Sequence, residues 1–289
     1  MELVLTNKNG QSLDLLNNDN RFILTACDAL HGIDTDIQTT ELPYLDGVEI
    51  GNVKALPRGI SMTFKLVPDI RESIDFFTSI VKSKQQVTLR ESEGGRDISI
   101  KGIATIPPYS RMMSACEIKL DIYCGQPYWE DVQSIVTAIS LAIDLLNFPS
   151  EGQWFASVGR PFGVIDKSLE KTFYNDGDTS VGMVIRITAL GNVVNPRISC
   201  STGGQNGWYM EFYSAIGDND EIEISTTRGN KYVKVNGKDS FNGTPCLYYL
   251  KFVGNDWLQL ETGSNTFNVS AKSGEQNVFF TISYSRRYE

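Results

Sequence analysis

The chain has 289 residues, 41% hydrophobic and 21% charged, enough to build two ordinary domain cores and too apolar for a disordered chain. Its net charge of −9 falls mostly on residues 1–149, with 13 Lys/Arg against 20 Asp/Glu. That balance argues against a surface built to grip nucleic-acid phosphate, because such affinity comes from Lys and Arg displacing counterions.

Along the chain, Leu3–Thr6 and Ser12–Leu16 read as two short strands joined by a turn at Gly10, and Arg21–Thr25 as a third. Residues 26–46 carry little periodic signal and are expected to form a long loop. Val48–Val53 and Ile60–Val67 return to strand character; in the second, Ile60, Met62, Phe64 and Leu66 alternate with polar residues, so one face is buried. A helix follows from Pro68-Asp69 to Ser83-Lys84. Asp69 and Glu72 have capping-box spacing, and Ile70, Ile74, Phe77, Ile80 and Val81 share one face. Val87–Arg90 and Arg96–Ile106 read as a hairpin across Gly94-Gly95, and Ser114–Tyr123 as another long strand. Residues 1–130 are thus expected to be a β-rich α+β domain with one helix near 69–83.

Val132–Leu146 is ambiguous. Val132, Ile135, Val136, Ile139 and Ile143 fit a helical stripe, while their β-branched side chains favour strand. Residues 131–152 are assigned as a linker, with Phe148-Pro149 and Glu151-Gly152 marking the passage into a second domain. From 153 to 289 strand-like runs recur about every ten residues, separated by turns such as Asn175-Asp-Gly-Asp178 and Asn236-Gly237. They are Lys171–Tyr174, Gly182–Ala189, Pro196–Cys200, Trp208–Phe212, Glu221–Thr226, Tyr232–Val235, Tyr248–Val253, Trp257–Glu261, Thr266–Ser270 and Val278–Ser283. That pattern predicts an antiparallel β-sandwich, making the protein mainly β overall.

Groups suited to catalysis are few. The five cysteines, Cys27, Cys116, Cys124, Cys200 and Cys246, contain no CxxC pair and are expected to be free, mostly buried thiols of a reducing compartment. Zinc needs about four clustered N/S ligands, which this spacing does not offer. The single histidine, His31, is the one imidazole available to a triad, with Cys27 and Asp28 close in sequence; a structural or surface role is the expectation. The carboxylate pairs Asp34/Asp36, Asp218/Asp220 and Glu221/Glu223 raise glycoside hydrolysis or calcium. Gly217–Asp220 reads more simply as a turn and Glu221/Glu223 as the exposed face of a strand. Neither Gly94-Gly95 nor Gly203-Gly204 continues into a phosphate loop. The N-terminus lacks the basic and apolar regions of a signal peptide, and the longest apolar run, Ile135–Leu146, is too short and polar for a bilayer span.

Several phrases, taken in order, carry a resemblance. Leu3-Val-Leu-Thr-Asn with Gly10 and Leu13 comes first, then Leu45-Asp-Gly-Val48 and Pro57-Arg58-Gly-Ile60. Phe76-Phe77 lies in the helix, and Tyr123-Cys-Gly-Gln-Pro-Tyr-Trp129 closes the first half. Phe173-Tyr-Asn-Asp-Gly-Asp178, Ile185-Arg-Ile-Thr-Ala189, Asn195-Pro196 and Lys234-Val-Asn-Gly237 follow. Together they resemble the distal tail (Dit) proteins of long-tailed phages of Gram-positive hosts, the siphophage tail-component family. The resemblance implies an N-terminal domain that assembles into a hexameric ring at the end of the tail tube and a galectin-like or carbohydrate-module-like C-terminal sandwich. It implies a place in the virion, joining the tube to a tail-lysin or fibre protein and to receptor-binding proteins, with DNA passing through the ring. An acidic first half suits such a passage. Asn195, Arg197 and Trp208 also resemble part of the galectin sugar-binding pattern, departing from it at Val193 and Tyr209.

The expectation is a structural hub rather than an enzyme, with no catalytic, cofactor-binding or metal residues assigned, no cofactor and no membrane insertion. The alternative is a carbohydrate-binding or adhesin-type module.

Overall fold

The computed structural model describes residues 1–17, 21–44, 46–67, 69–109, 116–139, 141–144, 163–166 and 169–289, the segments 141–144 and 163–166 by their backbone alone. The chain forms two compact units: Met1–Gln133 with Arg287–Glu289, and Ser134–Arg286.

The first unit contains β1 (Glu2–Asn7), β2 (Ser12–Asp14), β3 (Phe22–Asp28), β4 (Thr35–Glu41), β5 (Val48–Ala55), β6 (Arg58–Leu66), α1 (Ile70–Ile80), β7 (Gln85–Glu93), β8 (Arg96–Thr105), β9 (Cys116–Cys124) and β10 (Trp129–Asp131). Its main sheet is antiparallel in the order β2-β1-β7-β8-β9-β6-β3. β10 pairs with β8 and with the C-terminal pair Arg287–Tyr288. Alternation fixes the register. Ile60, Met62 and Phe64 of β6 lie opposite Ile122, Leu120 and Ile118 of β9, and all six are buried. Helix α1 covers this face through Phe77, which meets Phe22 at 5.6 Å and Phe64 at 5.3 Å between ring centroids, while Phe22 and Phe64 stand edge-on at 5.4 Å. The turn between β7 and β8 is the pair Gly94 (φ 59°) and Gly95 (φ 86°), a left-handed combination that lets Glu93 pair with Arg96.

Two expectations fail in this unit. Asp69 precedes the helix with φ 69° and ψ 46° and makes no side-chain cap hydrogen bond; its carbonyl accepts the first helical bond, from Ser73 N at 3.0 Å. A capping side chain needs an extended N-cap backbone, so the capping box with Glu72 is not made. Residues 26–46, expected as a loop, contain the end of β3 and the whole of β4, which pairs with β5 as a separate two-stranded sheet.

The second unit contains β11 (Ile135–Ala138), β12 (Leu141–Asp144), β13 (Gly163–Asp166), β14 (Glu170–Asn175), β15 (Val184–Ala189), β16 (Val193–Cys200), β17 (Tyr209–Phe212), β18 (Ala215–Ile216), β19 (Glu221–Ser225), β20 (Tyr232–Val235), β21 (Ser240–Phe241), β22 (Thr244–Pro245), β23 (Leu250–Val253), β24 (Gly263–Ser273) and β25 (Val278–Tyr284). Two sheets dominate, β11-β25-β15-β19-β20 and β14-β24-β16-β17-β23, with β18 on β16. One core draws on both: Ile185, Ile187, Ile222 and Phe280 from the first sheet, Ile198, Phe212, Phe267 and Phe173 from the second. The mainly β class read from the sequence is borne out, and the second unit is a β-sandwich.

Here too the structure corrects the sequence reading. Ile135–Ala138, assigned to a linker and fitting a helical stripe, is strand β11 on β25, and Leu141–Asp144 pairs with Gly163–Asp166. Cross-strand partners decide in favour of the β-branched side chains. The rest of that passage, including Phe148-Pro149 and Glu151-Gly152, lies outside the described residues. Trp257–Glu261 is not a strand: Leu260 makes a single bridge to Val181, and the segment is anchored by side chains. Gln259 donates its Nε2 to Thr226 O at 2.9 Å; its carbonyl accepts from Gln205 Nε2 at 2.9 Å and its backbone N–H donates to Gln205 Oε1 at 2.8 Å. Among the described residues no helix is long and apolar enough to cross a membrane.

Candidate functional site

The turn after β3 carries the single histidine. Ala29 (φ 58°) and Gly32 (φ 82°) bend the chain, and the carbonyl between them, that of Leu30, is held twice: Arg58 Nη1 donates to it at 2.7 Å and Trp129 Nε1 at 2.9 Å. His31 is thereby set over β7. Its Nε2 lies 3.4 Å from Glu91 Oε2. That is an ion-pair distance outside hydrogen-bond geometry, and Glu91 Oε2 is buried without a hydrogen-bond partner. His31, Glu91, Glu93, Gly94, Arg96 and Ile98 line an open cleft of about 400 Å³. Arg58, 4% exposed, leaves Nε and Nη2 without partners, and burial lowers the pKa of its guanidinium.

These groups do not make a nucleophile. Burial pushes the Cys27 thiol up, and the charges of Asp28 and Glu91 push it further the same way. A reactive thiolate needs the opposite surroundings. The Cys124 thiol is raised to about 11, chiefly by burial. The sequence neighbours Cys27 and His31 therefore share a region, and the partner His31 faces is Glu91, sixty residues away.

The carboxylate pairs are likewise engaged in structure. Asp34 and Asp36 are exposed, and Asp36 sits opposite Lys54 on the β4–β5 ladder. Asp220 accepts from Gly217 N at 2.8 Å and from Asn236 Nδ2 at 2.7 Å, closing a turn as expected. Glu221 and Glu223 both pair with Arg186, at 3.1 and 2.7 Å, and Tyr232 donates its hydroxyl to Glu223 at 2.6 Å. Among the described residues no group of three or more His, Cys, Asp or Glu side chains is placed to hold a metal.

The residues of the sugar-like pattern separate. Arg197 lies on the outer face of β16, stacked 3.8 Å above the Tyr209 ring and paired with Glu211 through Nε at 2.9 Å and Nη2 at 2.7 Å. Asn195, Arg197 and Glu211 line a shallow cleft with Ser270, Ala271 and Lys272. Trp208 is not in it: it is half-buried against the sandwich core and packs on the backbone of Gly254.

The most distinctive surface is the β4–β5 hairpin. Every residue of β4 is exposed, as is β5 from Val48 to Lys54. Cross-strand partners share a face. Ile37 opposite Val53, Thr39 opposite Ile50 and Glu41 opposite Val48 make one face largely apolar, while Asp36/Lys54 and Thr40/Glu49 make the other polar. Ile50 is 64% exposed and Val53 54%. An isolated two-stranded hairpin is marginally stable in water, so this one is a surface prepared for covering.

Residues 176–288 match the siphovirus-type tail component family, C-terminal domain. That match lies almost entirely within the second unit. The distal-tail resemblance read from the sequence is borne out. The chain is also similar over 99% of its length to 99% of the Dit protein of phage SPP1, with 12% identity and a TM-score of 0.66; that protein's structure is described as a paradigm of hub adsorption apparatus in Gram-positive infecting phages. A chain of the phage p2 baseplate in its activated conformation with Sr matches at 10% identity and a TM-score of 0.50, covering 98% of this protein and 97% of that chain. At such identities the likeness is one of fold, and it extends over both units. No curated protein matches the chain.

Proposed function

We propose that the protein is a structural, non-catalytic hub of a phage tail tip, with a first unit that closes copies of itself into a hexameric ring and a second unit that serves as an adaptor. The observation that carries this reading is the β4–β5 hairpin. An amphipathic arm with Ile37, Val48, Ile50 and Val53 on one exposed face has nothing to cover it within the described residues of its own unit. A second copy supplies the missing cover, and a repeated head-to-tail contact of this kind closes into a ring. The stoichiometry of six, the tail tube on one side, and a lysin or fibre protein and receptor-binding proteins on the other, rest on the distal-tail resemblance. The acidic balance of the first half suits a channel that passes DNA without holding it.

Light scattering coupled to size-exclusion chromatography tests the reading. Hexamers, with annular particles by negative-stain electron microscopy, are expected of the intact chain. A protein that stays monomeric at high concentration overturns the ring.

A further inference from the structure

Glu91 is a buried group that the fold leaves unexplained. Its side chain is 9% exposed, its Oε2 has no hydrogen-bond partner, and among the described residues the basic side chain facing that oxygen is the His31 imidazole, with Nε2 at 3.4 Å. A buried carboxylate oxygen without a donor implies a missing ligand, either water or an ion. Arg96 lines the same cleft but is stacked 4.6 Å above the Tyr288 ring and forms no ion pair with Glu91.

The geometry points to the ion. Zinc-class metals bind imidazole nitrogen and carboxylate oxygen at about 2.1 Å each. Ligand atoms 3.4 Å apart then subtend an angle of about 110° at the metal, the tetrahedral value. The cleft beside them is open, with room for the water ligands that complete such a shell, and no third His, Cys, Asp or Glu among the described residues is placed to take their position. The histidine is held in place as well. Arg58 and Trp129 both donate to the carbonyl of Leu30, which fixes the backbone immediately before His31. We propose that His31 and Glu91 form the protein half of a hydrated zinc-class metal site in the first unit. The sequence disfavours zinc held by cysteines; this site uses none.

Equilibrium dialysis of the intact protein against zinc chloride tests it, with wild type, His31→Ala, Glu91→Gln and Cys27→Ser compared. One zinc per protomer is expected for wild type and for Cys27→Ser, whose part-buried thiol feels the charge of Glu91 and would be a competing ligand. His31→Ala and Glu91→Gln should each weaken binding more than about tenfold, at least the loss seen when groups supporting a metal ligand are removed. Absence of binding at millimolar zinc, retention in His31→Ala, or loss in Cys27→Ser overturns the site. Should Glu91→Gln fail to fold by circular dichroism, His31→Ala decides, since the His31 side chain is 54% exposed and its truncation leaves the core intact.

Discussion

Trp129 donates its indole N–H to the carbonyl oxygen of Leu30, a bond of 2.9 Å that closes 99 residues of chain. The ring itself is fully buried at the start of β10. Trp129→Phe keeps most of the packing and removes the donor, so about 1 kcal/mol of stability should be lost. Trp129→Ala should cost about 3–5 kcal/mol, as truncation of a buried aromatic does. Urea unfolding of the two variants separates the contributions.

The β4–β5 arm predicts a division between folding and assembly. Ile50→Lys places a charge at the centre of the exposed apolar face. Thermal stability of the dissociated protomer should change by no more than about 0.5 kcal/mol, as for exposed positions generally. The oligomer measured by light scattering should be lost. Loss of both together would mean the arm belongs to the protomer's own core.

Gly254 sits at φ 139°, and a Cβ there falls inside contact distance of the Trp208 ring. Gly254→Ala should therefore destabilise the sandwich by about 1–3 kcal/mol through forced displacement of that ring. A red-shifted tryptophan emission in the folded state is the accompanying signal. An unchanged emission and unfolding midpoint would show that Trp208 is free to move, as a ligand platform would be.

The Arg186–Glu223–Tyr232 cluster sets two pH limits. Hydrogen bonds from Tyr232 and Arg186 hold the Glu223 carboxyl below its ordinary pKa of 4.5. Its contribution is present above that value and is lost as pH falls through the lower, folded one. The same bond to Glu223 raises the Tyr232 hydroxyl from 10.0 to about 12, so that contribution is complete below pH 10 and disappears as pH rises through about 12. Glu223→Gln should flatten both limbs of a stability-against-pH curve measured by denaturant unfolding.

Where a buried face imposed alternation, the sequence was legible. Ile60–Leu66, Cys116–Ile122 and most of the ten-residue rhythm of the second unit became paired strands near their expected places. β4 escaped because Thr35–Glu41 has no buried face in the protomer, so Ile37 stands alone among polar residues. Ile135–Ala138 escaped because four residues cannot distinguish a helical stripe from an edge strand; β25, more than 140 residues later, settles it. Trp257–Glu261 misled because its apolar residues are buried by loop packing and side-chain anchors rather than by a ladder. The His31–Glu91 pair had no local signal, since β3 and β7 meet the same turn only after the sheet is assembled.

The return of Arg287–Tyr288 to β10 makes the second unit an insertion into the first, rather than an appendage after it. Its two ends meet: the hydroxyls of Ser134 and Ser285 are 2.9 Å apart. A sandwich with adjoining entry and exit can be exchanged for another module, or shortened to a brief connection between 133 and 287, while the strand pairing that completes the frame stays in register. Divergence of the inserted module is thereby uncoupled from the strand pairing that completes the first unit.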